Sequence, residues 1–208
     1  MQYVPIILTV ALVHLLAVIS PGPDFILITR NSLMYSRRTG MYSALGLGLG
    51  ILVHITYSFV GIGFVIAKSI LLFNLIKFLG AGYLIYIGVM SLLSQSSKLE
   101  LAGAEHRREI SKTSAIRMGF LTNVTNPKAT LFFLSLFTLV IDPSTPLFVK
   151  LIMGIEMTVV TSLWFMMVAF LVSHHFIKSR VNKIQHFSEK FIGVVLIGLG
   201  IKVALSHR

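Results

Sequence analysis

Ser20-Pro21-Gly22-Pro23-Asp24 interrupts one long apolar run of this chain, and Asn123-Val124-Thr125-Asn126-Pro127-Lys128 interrupts another in the matching place of the second half. Each break carries one charge just past a proline. In water such a pair would have no obvious use. In a bilayer, irregular backbone is tolerated only where it is buried in protein or lines a cavity, and paired breaks of this kind point to a substrate site.

Composition sets the frame. Of 208 residues, 55% are hydrophobic and 12% charged, where a soluble domain carries about 25% charged residues. Mean hydropathy is +0.87. A spanning helix needs about 20 mostly apolar residues. Six such stretches lie at about 4–29, 40–66, 69–93, 115–140, 146–172 and 187–206. The chain therefore reads as one all-α polytopic membrane domain over 1–208, with the bilayer as its solvent. The first apolar run lacks a basic leader and a small-residue cleavage site, so it is read as a retained span.

The net charge of +11 has a pattern. Twelve of the eighteen Lys and Arg residues fall in alternate connections, from Arg30, Arg37 and Arg38 through Lys98–Arg117 to Lys178–Lys190. Five (Lys68, Lys77, Lys150, Lys202 and Arg208) fall on the other side. This is positive-inside asymmetry, which puts both termini outside the cytoplasm; it sets orientation and is not a nucleic-acid face. There are no cysteines, so disulfide, thiolate-metal and thiol-redox roles are excluded.

The most polar stretch, 94–114, divides the chain into repeat one (about 1–93) and repeat two (about 115–208). Three spans per half make the halves face opposite ways. Lys77-Phe78-Leu79-Gly80 and Lys190-Phe191-Ile192-Gly193 open the third and sixth spans as a weak internal echo. The expected architecture is six transmembrane helices as an inverted three-plus-three repeat, with helices one and four discontinuous. Gly46 and Gly50 make a small-xxx-small pair in the second span; intrachain packing is its first reading and a homodimer seam its second.

Proline removes its own N–H and displaces the carbonyl four residues earlier. Pro21 and Pro23 thus free the carbonyls of Ala17 and Ile19, and Pro127 frees that of Asn123. Carbonyls of this kind suit an ammonium; the restarting helix offers N–H groups and a positive dipole end to a carboxylate. Two antiparallel breaks suit a zwitterion. Asp24 and Lys128, too costly to leave in lipid, are expected to face a cavity or each other. Asn126 fits an N-cap with Pro127 at the first helical position. Glu156 is an intramembrane acid and hence a candidate, as a free group or paired with His14, His54 or Lys128. His14 and His54 are candidates for proton relay. His174, His175 and His186 lack acid partners, so no metal site is expected, and no cofactor. No HExxH, GxSxG or P-loop occurs, so no enzyme site is recognisable and any transport energy must come from a gradient, with protons the favoured currency.

Ser-Pro-Gly-Pro-Asp at 20–24, Arg37-Arg38-Thr39-Gly40 entering a glycine-rich second span, and Leu121-Thr122-Asn123-Val124-Thr125-Asn126-Pro127-Lys128-Ala129 resemble the LysE/RhtB family of amino-acid exporters over essentially the whole chain. Gly198-Leu199-Gly200-Ile201-Lys202 and the Val-His of span one make the threonine and homoserine branch the nearest in appearance. The resemblance implies a secondary transporter of the bacterial inner membrane that exports an amino acid. Pro21, Gly22, Pro23, Asp24, Asn126, Pro127 and Lys128 carry over as site residues. These exporters often place an acid three or four residues before the fifth-span Trp; here Val160 and Thr161 precede Trp164. Glu156, one turn earlier, is the candidate replacement. A gradient-driven channel or ion exporter of similar fold is the alternative.

Overall fold

The computed structural model describes residues 2–20, 22–68, 70–93, 109–140 and 144–173, with scattered helical positions from 190 to 205; for 60–68, 70–74, 137–140 and several positions in 76–91 it describes the backbone alone. Among the described residues there are seven long helices and no strand: α1 Val4–Ile19, α2 Pro23–Met34, α3 Arg37–Lys68, α4 Ile70–Leu93, α5 Lys112–Val124, α6 Pro127–Val140 and α7 Leu147–Val172. The all-helical class expected from sequence is what the described residues have.

Local chemistry sets the ends. Pro5 stands in the first turn of α1, and Pro23 and Pro127 open α2 and α6, where a missing N–H has no cost. Ser111 caps α5, its hydroxyl accepting from the Ser114 N–H at 3.2 Å. Arg37–Phe59 within α3, and all of α7, are long and apolar enough to cross a membrane, and α1 with α2 are so together as one span bent by 55°. The expected fourth span is two helices of 13 and 14 residues, each too short to cross alone. The sixth expected span, the 94–108 segment, Pro21 and the three histidines at 174, 175 and 186 lie wholly or largely outside the described residues.

The packing is inverted relative to a water-soluble bundle. Leu147, Leu151, Ile155, Val159 and Leu163 stand exposed every fourth residue along α7, a stripe that water would penalise and lipid accepts. His14, Asn31, Ser43, His54, Ser58, Asn123 and Thr161 are buried instead. Two apolar clusters fill the interior. One joins Val10, Ile51, Ile55, Phe132, Phe133 and Met153, and the other Leu27, Ile28, Leu47, Phe165 and Ala169.

Glycines let α3 serve as the central post. A side chain at Gly46 would strike the Ile116 carbonyl of α5, one at Gly50 would stand 2.7 Å from Asn123 Oδ1, and one at Gly48 would strike Ser162 of α7. Gly46 and Gly50 thus face α5 of the same chain, which is the intrachain reading of that pair. Lys112 lies over the Tyr42 ring at 5.6 Å and Arg37 over Phe170 at 5.2 Å. The starts of α3 and α5 and the end of α7 therefore share one end of the molecule. Tyr3 meets Phe148 edge-on at the opposite end. α4 and the described helical positions between 190 and 205 run antiparallel: Lys190 donates to the Leu92 carbonyl at 2.8 Å, Gly88 abuts Gly193, and Gly200 abuts Ala81.

Candidate functional site

Both breaks open onto one cavity of about 580 Å³, its mouth included, between the two apolar clusters. Its polar end is built by Ser20, Gly22 and Asp24 from the first break and Asn123, Asn126 and Lys128 from the second. The remaining wall is apolar, from Ala17, Val18, Ile51, Phe132, Phe133 and Phe165, with His14 and Thr161 set into it.

The two charges occupy equivalent positions, Asp24 and Lys128 each being second in a helix opened by proline. Each is held from across the site. The Asp24 carboxylate accepts from Asn123 Nδ2 at 2.9 Å and from Asn126 Nδ2 at 3.1 Å. Lys128 Nζ donates to the Ser20 carbonyl at 2.7 Å, and both it and His54 lie within electrostatic reach of Asp24. At a helix N-terminus, with two amide donors added, the carboxylate has partners for both of its oxygens. For Lys128 the dipole is unfavourable, so a carbonyl freed by a break is what offsets it.

Asn126 has three duties. Its Oδ1 accepts from the Lys128 N–H at 3.0 Å as the N-cap of α6, its carbonyl accepts from Thr130 Oγ1 at 3.1 Å, and its amide reaches Asp24. Gly22, the N-cap of α2, has extended backbone (φ −179°) that any residue adopts, and its side-chain-free face is covered by the Lys128 stem: a Cβ there would stand 3.3 Å from Lys128 Cδ. The Asn123 carbonyl, freed as expected, accepts from His54 Nε2 at 2.9 Å and from the Asn126 N–H at 2.9 Å. Because a carbonyl only accepts, His54 carries its proton on Nε2; in the neutral ring Nδ1 then accepts from the Tyr57 hydroxyl at 2.6 Å. Tyr57 also lies 3.3 Å from the Thr130 carbonyl of α6.

Of the residues singled out by sequence, Gly22, Asp24, Asn126 and Lys128 meet at the cavity's polar end, and His14 lines the same cavity. Pro23 and Pro127 open the helices behind them. His54 is one residue removed, behind Asn123. Glu156 does not join them: it is half-buried on α7, off the cavity wall, and holds no bond to His14, His54 or Lys128. Sequence reasoning did not single out the side chains of Ser20, Asn123, Tyr57 and Thr161. Tyr57 was legible, since it lies three residues after His54 on the same helical face. Thr161 was not, because its partner lies on α1.

A model of the LysE type translocators matches residues 15–207. The chain belongs to this family. Among its relatives, the uncharacterized membrane protein YrhP of Bacillus subtilis is 34% identical over 199 residues, covering 91% of this chain and 93% of its own length. The threonine efflux protein of Escherichia coli K12 is 29% identical over 201 residues, covering 96% and 98%. The leucine efflux protein of Salmonella choleraesuis is 26% identical over 191 residues, covering 90% and 89%. No solved structure matches it. The family and the lipid-suited surface together make this a membrane protein of a translocator family.

Proposed function

We propose that this chain is a secondary transporter that exports small amino acids, threonine or homoserine among them, across the bacterial cytoplasmic membrane by proton antiport. The observation that carries the reading is the crossed pair of charges: an acid from one helix break and a base from the other, at the polar end of one cavity. A zwitterion complements that end, with its ammonium toward Asp24 and the Ser20 carbonyl and its carboxylate toward Lys128 and the start of α6. The relatives named for threonine and leucine efflux support the same class of substrate.

Asp24 is the coupling acid in this reading, with His54 behind it through Asn123. Substrate and proton compete for Asp24, so the entry of one favours the departure of the other. The end bearing Arg37, Arg38, Lys112 and Arg117 faces the cytoplasm, both termini lie outside, and the chain crosses six times as an inverted repeat. Reporter fusions at Gln95 and Arg208 are expected on opposite sides; the same side for both refutes the six-span arrangement.

The test of function uses everted membrane vesicles from cells expressing the full chain. Radiolabelled L-threonine is expected to accumulate when the interior is made acid and to leave when the gradient is collapsed. Accumulation that ignores the pH gradient removes proton antiport, and no carriage of any amino acid removes the proposal.

A further inference from the structure

The apolar part of the cavity contains one polar pair. His14 of α1 is wholly buried, and its Nε2 lies 3.2 Å from Thr161 Oγ1 of α7. Its other nitrogen, Nδ1, is buried without a hydrogen-bond partner. Thr161 also departs from its neighbours. Thr158 and Ser162 give their hydroxyl protons to carbonyls one turn back, at Gly154 and Thr158. Thr161 is 1% exposed and has its hydroxyl turned across the helix interface to the imidazole. An unpartnered nitrogen in an apolar wall is costly unless something else visits it. No structural duty seen here accounts for it: the aromatic neighbours Phe132 and Phe133 pack His14 by ring contact alone.

Position says what could visit. Ser20, whose carbonyl holds Lys128, is six residues after His14 along α1, about 9 Å of helix rise. A β- or γ-hydroxyl stands about 3–4 Å from the ammonium nitrogen of the same amino acid, on ordinary bond lengths. With a hydrogen bond of about 2.8 Å at each end, such a molecule has a reach of the same order as that rise, between residues that line one cavity. An apolar side chain of equal size reaches the same place and leaves the pair unsatisfied.

We infer that His14 and Thr161 form the subsite that reads the substrate's side chain, and that they select amino acids bearing a β- or γ-hydroxyl over apolar ones of the same shape. The inference rests on the amino-acid export proposed above and adds the residues that set preference within it. A site that hydrogen-bonds a hydroxyl rejects the analogue lacking it, because its own polar groups are then left unpaired, whereas a purely apolar pocket discriminates weakly.

Threonine and valine differ by a hydroxyl against a methyl and so isolate the effect. In everted vesicles carrying the full chain, uptake of radiolabelled L-threonine is competed with unlabelled L-threonine or L-valine, with the chain's membrane abundance followed by immunoblot. Threonine is expected to compete about tenfold better than valine in the wild type. Thr161→Val and His14→Leu should bring the two within about twofold, while Thr161→Ser, which keeps a hydroxyl, retains the preference. Should His14→Leu be missing from the membrane, the Thr161→Val and Thr161→Ser pair decides. Equal competition in the wild type, an unchanged ratio in Thr161→Val, or loss of preference in Thr161→Ser overturns the subsite. Carriage of both amino acids without preference refutes this inference alone; carriage of neither refutes it too, and carriage of no amino acid at all refutes the export proposal as well.

Discussion

The two helix breaks look equivalent in sequence and differ in how they are held. The second is self-sufficient. Asn126 caps α6 with its own side chain, and the carbonyl freed at Asn123 is taken by the Asn126 N–H and by His54. The first has no side-chain cap: Gly22 offers none, and the Ser20 carbonyl is satisfied by Lys128 from the other half of the chain. Asp24 likewise takes its amide donors from the second break. Break two is thus a scaffold and break one is assembled on it.

If so, damage to the second break should be felt in both. Asn126→Ala removes the α6 cap and one donor to Asp24, an expected loss of about 2–4 kcal/mol together. Thermal unfolding in detergent and membrane abundance should both fall, and export should be lost. Lys128→Met takes the donor from the Ser20 carbonyl, an expected cost of about 1.5–3 kcal/mol for a charged hydrogen bond, and also leaves Asp24 without its counter-charge. In an Asp24→Asn background, which removes that second effect, stability should fall less than in Asn126→Ala. A larger fall than in Asn126→Ala would reverse the assignment of scaffold and dependant.

His54→Phe, which keeps the volume of the buried ring, takes one donor from the Asn123 carbonyl and is expected to cost about 1 kcal/mol, with Tyr57→Phe smaller still. Gly22→Ala should be the mildest, below about 1 kcal/mol, because the extended backbone imposes no strain and the flexible Lys128 stem can yield a few tenths of an ångström. A severe Gly22→Ala phenotype would show the first break to be far more tightly held than the hydrogen bonds suggest.

Much of this was legible in the residues. The prolines located both breaks, because a proline cannot donate its amide wherever it stands. Pro127 after Asn126 announced the cap, and the charge just past each proline pointed to residues that line the shared cavity. The parts that stayed hidden are contacts between distant helices. Nothing at Ser20 says that Lys128 will find its carbonyl, and nothing at Thr161 says that His14 lies opposite. The glycine pair Gly46 and Gly50 could have served a second copy or this one; only the crossing of α3 with α5 decides it. Glu156, read as a candidate acid either free or paired with His14, His54 or Lys128, lies off the cavity wall. An intramembrane acid's function depends on its helical face, and a lone residue in an apolar run does not reveal that face.

The account turns on Asp24 and Lys128 being functional and not merely each other's counter-charge. Losing one alone leaves an uncompensated buried charge, so a single variant can fail through instability. The double variant Asp24→Asn with Lys128→Met separates the cases, measured as membrane abundance beside threonine uptake in everted vesicles. Abundance should recover toward the wild type while transport stays absent. Wild-type transport from the double variant would contradict the account.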